Sequence, residues 1–218
     1  MPATPKQETV QRIEHERVSA IVRTQSSELA AAAMEAAVAG GFRVVEFTLT
    51  TPEALDLVSR FAANPELLVG AGTVLTVAQV RAAKEAGARF VVSPVWDAAV
   101  IRKAGELGLV AIPGTLTPTE MLAAHAAGAD FVKLFPAPSN VAEYVTALRG
   151  PLPQLRIFPT AGVTVENFLD VLRAGAAGVG FVRSLFVPED MATRNFEAIE
   201  RRAALIHERL RDGLGSPR

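Results

Sequence analysis

Lys133 stands inside an apolar segment, where a lysine side chain is unusual and chemically informative. Residues 131–137 read Phe-Val-Lys-Leu-Phe-Pro-Ala, a run long enough for a β-strand. Burial disfavours the ammonium form and can lower the pKa of a lysine by several units. The neutral amine that results is the nucleophile that Schiff-base chemistry with a carbonyl compound requires. Lys84 and Lys103 lie in helix-like stretches and Lys6 in a polar segment, so Lys133 is the predicted nucleophile.

Glu46 is a second candidate, because it interrupts the apolar run Val-Val-Glu-Phe-Thr-Leu at residues 44–49. Side chains alternate between the two faces of a strand, so Glu46 and Thr48 share one face. If that face and the one carrying Lys133 look into the same interior, the carboxyl group and the amine converge. A carboxyl group in this position can protonate the departing hydroxyl of a carbinolamine and then move protons at the substrate.

Both residues also have purely structural interpretations. The Lys133 side chain can extend from the edge of a core so that its ammonium group reaches water. Glu46 can form an ion pair with Arg43 or Arg23. Taken alone, the ion pair is the better interpretation of Glu46, and the presence of Lys133 shifts the balance towards catalysis.

Composition excludes several classes of protein. The chain has 218 residues, a formal net charge of −1 and no cysteine. We expect one domain, no nucleic-acid partner, no disulfide framework and no thiolate metal site. No apolar stretch approaches the roughly 20 residues of a membrane span, and residues 1–16 lack the apolar region of a signal peptide. We therefore expect no membrane partner and a cytoplasmic protein.

A short pattern recurs along the chain: an Ala-rich helical stretch, a glycine and a strand-like apolar run. The glycines suit the left-handed conformation that ends many helices. The intervals are about 20 residues, or about twice that where one copy is irregular. The copies of the pattern lie at residues 39–45, 86–92, 107–112, 127–132 and 174–179.

With the apolar runs at 18–22, 67–69 and 156–158, the pattern yields eight strands, each followed by a helical segment. Alternating strands and helices predict parallel β/α units, and eight of them predict a (β/α)8 TIM barrel with a core at about 18–188. We expect an N-terminal helix at about 6–16 and a C-terminal helix at about 189–212, within one domain spanning 1–218. A doubly wound open sheet is the rival, but residues 22–26 lack its glycine-rich loop.

Polar residues and glycines collect where the predicted strands end, which is the edge that carries the active site in barrels of this type. Packing alone does not demand such a distribution. Lys133 and Glu46 are the candidate catalytic residues. The candidate substrate-binding residues are Arg23, Thr48, Thr73, Pro94, Gly114, Thr160, Gly162, Arg183 and Ser184.

The sequence offers little for other kinds of catalysis. His15, His125 and His207 all fall in helical segments, and no cluster of His, Asp and Glu has metal-ligand spacing. This pattern argues against a metal-dependent aldolase. No Gly-x-Ser-x-Gly elbow of a serine hydrolase is present.

Four segments together resemble the family of 2-keto-3-deoxy-6-phosphogluconate (KDPG) aldolases and 4-hydroxy-2-oxoglutarate (KHG) aldolases. They are residues 44–49, 69–75, 131–137 and 158–163, and the resemblance runs from about Val18 to Pro188. It implies a class I aldolase on a (β/α)8 barrel that cleaves a 2-keto-3-deoxy sugar acid to pyruvate and an aldehyde, without a cofactor and usually as a homotrimer.

By the same resemblance, Lys133 is the Schiff-base lysine and Glu46 the general acid and base. Thr73 helps to hold the pyruvate carboxylate, and Thr160 lies beside the substrate hydroxyls.

The chain departs from the family pattern at two places. Many gluconate-type members place an arginine four residues after the glutamate, where this chain has Thr50; Arg23 can supply the charge, as in the galactonate-type branch. The small residues that usually precede Ser184 in the phosphate loop are replaced by Val182 and Arg183. The identity of the keto acid (the gluconate, the galactonate or 4-hydroxy-2-oxoglutarate) and its phosphorylation therefore stay open.

Two other classes of function are the alternatives. One is a phosphosugar isomerase or thiamine-phosphate-type synthase, in which the lysine contacts phosphate electrostatically. The other is a non-catalytic trimeric scaffold that binds a keto acid.

Overall fold

The computed structural model describes residues 3–214; of the predicted domain, residues 1–2 and 215–218 lie outside this range. The described chain alternates between strands and helices. The strands are β1 Val18–Val22, β2 Val44–Thr48, β3 Leu68–Gly72, β4 Phe90–Val92, β5 Val110–Ile112, β6 Gly114–Thr115, β7 Val132–Leu134, β8 Ile157–Pro159 and β9 Val179–Phe181. The helices are α1 Pro5–Glu16, α2 Ser27–Ala39, α3 Ala54–Ala62, α4 Val77–Glu85, α5 Ala98–Glu106, α6 Pro118–Ala126, α7 Val141–Arg149, α8 Phe168–Arg173, α9 Pro188–Thr193 and α10 Phe196–Leu214.

All paired strands are parallel and form two sheets. One sheet has the order β5-β4-β3-β2-β1-β9 and the other has the order β6-β7-β8. Pro113 separates β5 from β6 in one extended segment, because proline has no N–H to donate to a neighbouring strand. The predicted alternation of parallel strands and helices is confirmed, with nine strand segments in place of eight among the described residues.

Backbone hydrogen bonds also run between the two sheets. The Asp130 N–H donates to the Ala111 carbonyl oxygen at 3.1 Å, beside β5 and β7. The Ala177 N–H donates to the Ile157 carbonyl oxygen at 2.9 Å, beside β8 and β9. The parallel strands therefore form a curled arrangement with an inner and an outer face.

Local sequence explains where the helices begin and end. Thr76 and Thr117 each begin a helix through a capping box, in which the threonine hydroxyl and a Gln or Glu side chain three residues later bind free N–H groups. The predicted left-handed glycines are confirmed, with φ between 69° and 117°. They are Gly41, Gly87, Gly108, Gly128 and Gly175.

The strands are buried on both faces, as expected for parallel sheets covered by helices. The larger apolar core lies between the strands and the outer helices. A smaller apolar cluster, the inner cluster, fills the curl, and α1 contributes two side chains to it. Its members are Val10, Ile13, Val44, Leu68, Phe90, Val92, Val110, Ile112, Phe131 and Phe158.

The C-terminal segment differs from the expected single helix at 189–212. It forms α9 and α10, which are separated at Arg194 and Asn195. Arg194 adopts a left-handed conformation with φ of 55°, and the Asn195 side chain accepts a hydrogen bond from the Ala198 N–H at 3.3 Å. No glycine stands at this point, so the helix-ending signal seen elsewhere in the chain did not reveal the break. No helix within residues 3–214 is long and apolar enough to cross a membrane.

Candidate active site

Lys133 lies at the centre of β7 with its side chain inside the curl. It pairs with Gly114 on β6 and with Phe158 on β8, and only 8% of its surface is exposed. Its Nζ atom lies 5.0 Å from the centre of the Phe135 ring, a distance at which an ammonium group is attracted to the ring face. The predicted interior setting of this lysine is therefore present in the fold.

Glu46 lies at the centre of β2, opposite Ile21 on β1 and Gly70 on β3, and is 3% exposed. Its carboxyl group extends along the strand direction to the height of Gly72. A Cβ atom at Gly72 would overlap the Glu46 Oε1 atom, so this glycine leaves the space that the carboxyl group occupies. Gly70 likewise leaves space for the Phe90 ring. The glycines of β3 thus determine where the carboxylate can lie.

Burial and mutual attraction set the electrostatics of the pair. Desolvation raises the pKa of Glu46, and the nearby positive charges of Lys133 and Arg23 oppose that rise. Desolvation lowers the pKa of Lys133; the Glu46 carboxylate opposes this effect and Arg23 adds to it. Both shifts favour neutral forms, so the site supports an uncharged amine beside a carboxyl group that can hold a proton.

The structural interpretation of Glu46 as an ion-pair partner of a nearby arginine is not supported. The Arg43 guanidinium donates to the carbonyl oxygens of Val38 and Phe42, at 3.0 and 3.1 Å. The Arg23 Nη2 atom donates to the Thr73 hydroxyl at 3.3 Å.

Arg23 and Thr73 form a polar pair at the rim of the curl. Thr73 has φ of 59°, a left-handed conformation that is uncommon for a β-branched residue. Residues held in such conformations cluster at functional sites, where the surrounding structure imposes them. A planar guanidinium beside a hydroxyl group suits a carboxylate ligand.

A cavity of about 460 Å³ opens at the carboxyl end of the strands, and Lys133 lies in its wall. It is large enough for a six-carbon acid, because ligand pockets commonly start at about 300 Å³. Of the candidate residues, the cavity brings together Arg23, Lys133, Thr160, Gly162, Arg183 and Ser184.

Four predicted binding residues do not line this cavity, namely Thr48, Thr73, Pro94 and Gly114. Thr48 is buried, and its hydroxyl group lies 3.1 Å from that of Thr50 and 3.4 Å from that of Thr51. A Cβ atom at Gly114 would overlap the carbonyl group of Pro94, so these two residues mark a close approach of two chain segments. Packing explains the positions of Thr48, Pro94 and Gly114.

The far end of the cavity is formed by the loops after β8 and β9. The Ser184 hydroxyl donates to the Val163 carbonyl oxygen at 2.8 Å and so ties the two loops together. Arg183 is exposed and Val182 is half-buried. This end therefore offers a positive charge beside an apolar side chain.

The candidate residues omitted Phe135 and Thr164, which also line the cavity. Phe135 could have been found from its spacing, because a residue two positions after Lys133 lies on the same face of the strand. Among residues 3–214, no three His, Cys, Asp or Glu side chains come together in a way that could hold a metal ion.

Comparison with known families decides among the possible reaction classes. A family model described as KDPG and KHG aldolase matches residues 10–202. The chain belongs to this aldolase family. The resemblance carried by the four sequence segments is thereby confirmed, and the protein is an aldolase, that is, a carbon–carbon lyase. The family match gives no support to the isomerase, synthase or scaffold alternatives.

Relatives of this aldolase cover most of its length. A probable 2-dehydro-3-deoxy-6-phosphogalactonate aldolase of Rhizobium meliloti is 40% identical over 172 residues, which are 78% of this chain and 81% of the relative. A solved structure named native KDPGal structure has a TM-score of 0.81 at 32% identity and covers 90% of this chain and 95% of its own. KDPG aldolase from Legionella pneumophila, solved with pyruvate captured as a covalent carbinolamine, has a TM-score of 0.78 at 28% identity and covers 94% and 98%.

Proposed function

We propose that the protein is a class I aldolase that cleaves a 2-keto-3-deoxy sugar acid to pyruvate and an aldehyde, with Lys133 as the Schiff-base residue. The observation that carries the proposal is the buried Lys133 amine, which lies in the wall of the cavity beside the Glu46 carboxyl group. The covalent carbinolamine named for the Legionella pneumophila structure supports the same chemistry.

The reaction begins when the neutral Lys133 amine attacks the C2 carbonyl carbon of the keto acid. The carbinolamine that forms loses its hydroxyl group as water after Glu46 supplies a proton, which leaves a protonated imine. The lowered pKa of Lys133 and the raised pKa of Glu46 both favour the forms that this step needs.

Cleavage follows from the electron demand of the imine. Glu46, now a carboxylate, accepts the proton of the C4 hydroxyl, and the C3–C4 bond breaks. Its electron pair moves into the imine to give an enamine, and the aldehyde leaves. Protonation at C3 and hydrolysis of the imine then release pyruvate and restore Lys133. The imine is the electron sink, so the reaction needs no metal or other cofactor.

Arg23 and Thr73 are proposed to hold the substrate carboxylate at the rim, since a carboxylate can accept hydrogen bonds from both. Thr160 is proposed to lie beside the substrate hydroxyls. Arg183 and Ser184 are proposed to face the far end of the substrate, where a phosphate group would lie.

Among the candidate acids, 2-keto-3-deoxy-6-phosphogalactonate is the proposed substrate. Arg23 lies in the cavity wall, while Thr50, at the position where gluconate-type members carry arginine, lies outside it. The similarity to the Rhizobium meliloti and KDPGal proteins supports this choice.

The closure of the barrel and the oligomeric state are both proposed from features of the structure. The hydrogen bonds between the two sheets support a closed (β/α)8 barrel in one domain. Leu75, Val95 and Trp96 are exposed on the loops after the neighbouring strands β3 and β4, and this apolar surface supports a homotrimer. The proposed cellular location is the cytoplasm. Sedimentation equilibrium of the purified protein measures the number of chains directly.

Borohydride trapping tests the central proposal. Reduction in the presence of pyruvate is expected to add a pyruvate-derived mass to Lys133, located by peptide mass spectrometry, and to abolish activity. Borohydride without pyruvate is the control and should add no mass. Folded protein that forms no adduct at Lys133 would contradict the Schiff base. A cleavage assay with the phosphorylated galactonate, its gluconate epimer and the non-phosphorylated acids tests the choice of substrate.

A further inference from the structure

A second, much smaller cavity lies inside the curl on the side of Glu46 that faces helix α1. Its volume is about 10 Å³, which is close to the minimum for a single water molecule. Most of its wall is apolar, but three polar side chains reach it. The lining residues are Ile13, Ser19, Val44, Glu46, Phe90, Val92, Ile112, Phe158 and Thr160.

Ser19 is the polar residue in an otherwise apolar strand, since β1 reads Val-Ser-Ala-Ile-Val. It is 3% exposed and lies opposite Val44 on one side and Gly180 on the other. A Cβ atom at Gly180 would stand 3.2 Å from the Ser19 Oγ atom, so the hydroxyl group lies beside β9. Among the side-chain hydrogen bonds of residues 3–214, none involves this hydroxyl, and Ser19 lines the small cavity.

The neighbouring polar groups have the same need. Glu46 and Thr160 are buried residues, neither side chain forms a hydrogen bond to a described protein group, and both line the small cavity. Buried polar groups in proteins are nearly always hydrogen-bonded, and internal water commonly supplies the partner where two to four polar groups meet. Ile13 of α1 also lines this cavity.

We propose that the small cavity holds one water molecule that accepts a hydrogen bond from Ser19 and donates one to the Glu46 carboxylate, with Thr160 as a third partner. Ser19 is then a positioning residue, which acts on the reaction through the water and Glu46. The inference rests on the proposed role of Glu46 as acid and base.

The proposed water molecule affects the acid–base chemistry of Glu46. A hydrogen bond donated to a carboxylate favours its charged form and lowers its pKa, which opposes the effect of burial. Glu46 must pass between the protonated and ionised forms in each turnover. A water held from below keeps both forms accessible while the opposite side of the carboxyl group faces the substrate.

The substitution Ser19→Ala removes one hydrogen-bond partner of the water with little change in side-chain volume. We expect the acidic limb of the pH profile of kcat/KM, where Glu46 becomes protonated, to move to higher pH by about one unit. The matched control is Ile112→Val, which alters the wall of the same cavity without removing a polar group. It should leave the limb in place.

Infrared difference spectroscopy of the carboxyl stretch measures the pKa of Glu46 without relying on turnover. The Glu46→Gln variant assigns the band. An unchanged carboxyl pKa and pH limb in folded Ser19→Ala, or an equal shift in Ile112→Val, would overturn the role of Ser19. An acidic limb that persists in Glu46→Gln would instead refute the proposed role of Glu46, so the two failures are distinguishable. A high-resolution crystal structure should contain the water within hydrogen-bonding distance of Ser19 Oγ and the Glu46 carboxyl group.

Discussion

Two regions of the molecule bury ionisable side chains, and they differ in what surrounds them. Lys133 and Glu46 lie inside the curl, where each moderates the effect of burial on the other, and Lys133 lies in the wall of a large cavity. His207 lies outside the curl on α10, edge-on to the Phe42 ring at 5.0 Å between ring centres. Its Nε2 atom is buried without a hydrogen-bond partner in the described chain.

The difference separates burial that supports chemistry from burial that serves packing. Inside the curl, complementary charges and access for a substrate accompany the buried groups. At His207, the surrounding charges are those of Arg43 and Arg211, which have the same sign as a protonated histidine. Such a group stays neutral and packs as an aromatic ring. A shifted pKa therefore indicates a catalytic group only where a partner whose charge suits the chemistry accompanies it.

The largest expected effect comes from replacing the nucleophile with a side chain that carries a permanent positive charge. Lys133→Arg should lower kcat by at least about 10⁴-fold, because a guanidinium group stays protonated and does not form the imine. Steady-state kinetics and the loss of borohydride trapping with pyruvate measure this change. Lys84→Arg is the matched control on an exposed helix position and should retain full activity. Substantial cleavage activity in Lys133→Arg would indicate an electrostatic role for Lys133. The contrast between the Lys133–Glu46 region and His207 would then not hold.

A smaller effect is expected when the position of Glu46 is disturbed without removing it. Gly72→Ala should lower kcat by about 10²-fold, because the added methyl group overlaps the carboxyl group and displaces it. Trapping of pyruvate on Lys133 should persist at a reduced rate. Gly105→Ala, in helix α5 where an added Cβ has space, is the matched control. Equal kinetics for the two variants would mean that the site tolerates another position of the carboxylate.

Sequence patterns predicted the parallel strands and the interior setting of Lys133, because apolar periodicity and helix-ending glycines are local signals. The space at Gly72 could not be predicted, since glycine-rich turns after strands are common and only the fold places Gly72 beside Glu46. Ser19 was not singled out either. Its significance depends on Gly180 and Thr160, which are distant in the chain and meet it only through the curl of the strands.

The residues at the far end of the cavity were also only partly predictable from the sequence. Arg183 and Ser184 are adjacent in sequence, yet the Ser184 hydroxyl ties two loops together while Arg183 is exposed. Adjacent polar residues at a strand end thus have different surroundings, which depend on contacts with the loop after β8. The break between α9 and α10 is similar, because a left-handed arginine, Arg194, marks it and no glycine does.

The smallest expected effect concerns His207 and appears in stability. Burial lowers its pKa from 6.5 to about 4. The unfolded chain therefore binds more protons than the folded chain between these values. This contribution to stability is complete above about pH 6.5 and is lost as the pH falls towards 4. Between pH 7 and pH 5, and after allowance for partial exposure, about 1 kcal/mol of this contribution is lost, which corresponds to a fall in Tm of about 2–4 °C.

Replacing His207 tests whether this burial is only packing. His207→Leu should reduce the difference in Tm between pH 7 and pH 5 by about 2–4 °C and leave kcat/KM and its pH profile unchanged, because the residue lies outside the curl. His125→Leu, at an exposed helix position, is the matched control and should keep the wild-type difference. An altered pH profile of activity in His207→Leu would show that the two buried regions are coupled, since a residue that only packs has no route to the ionisation of Glu46 or Lys133.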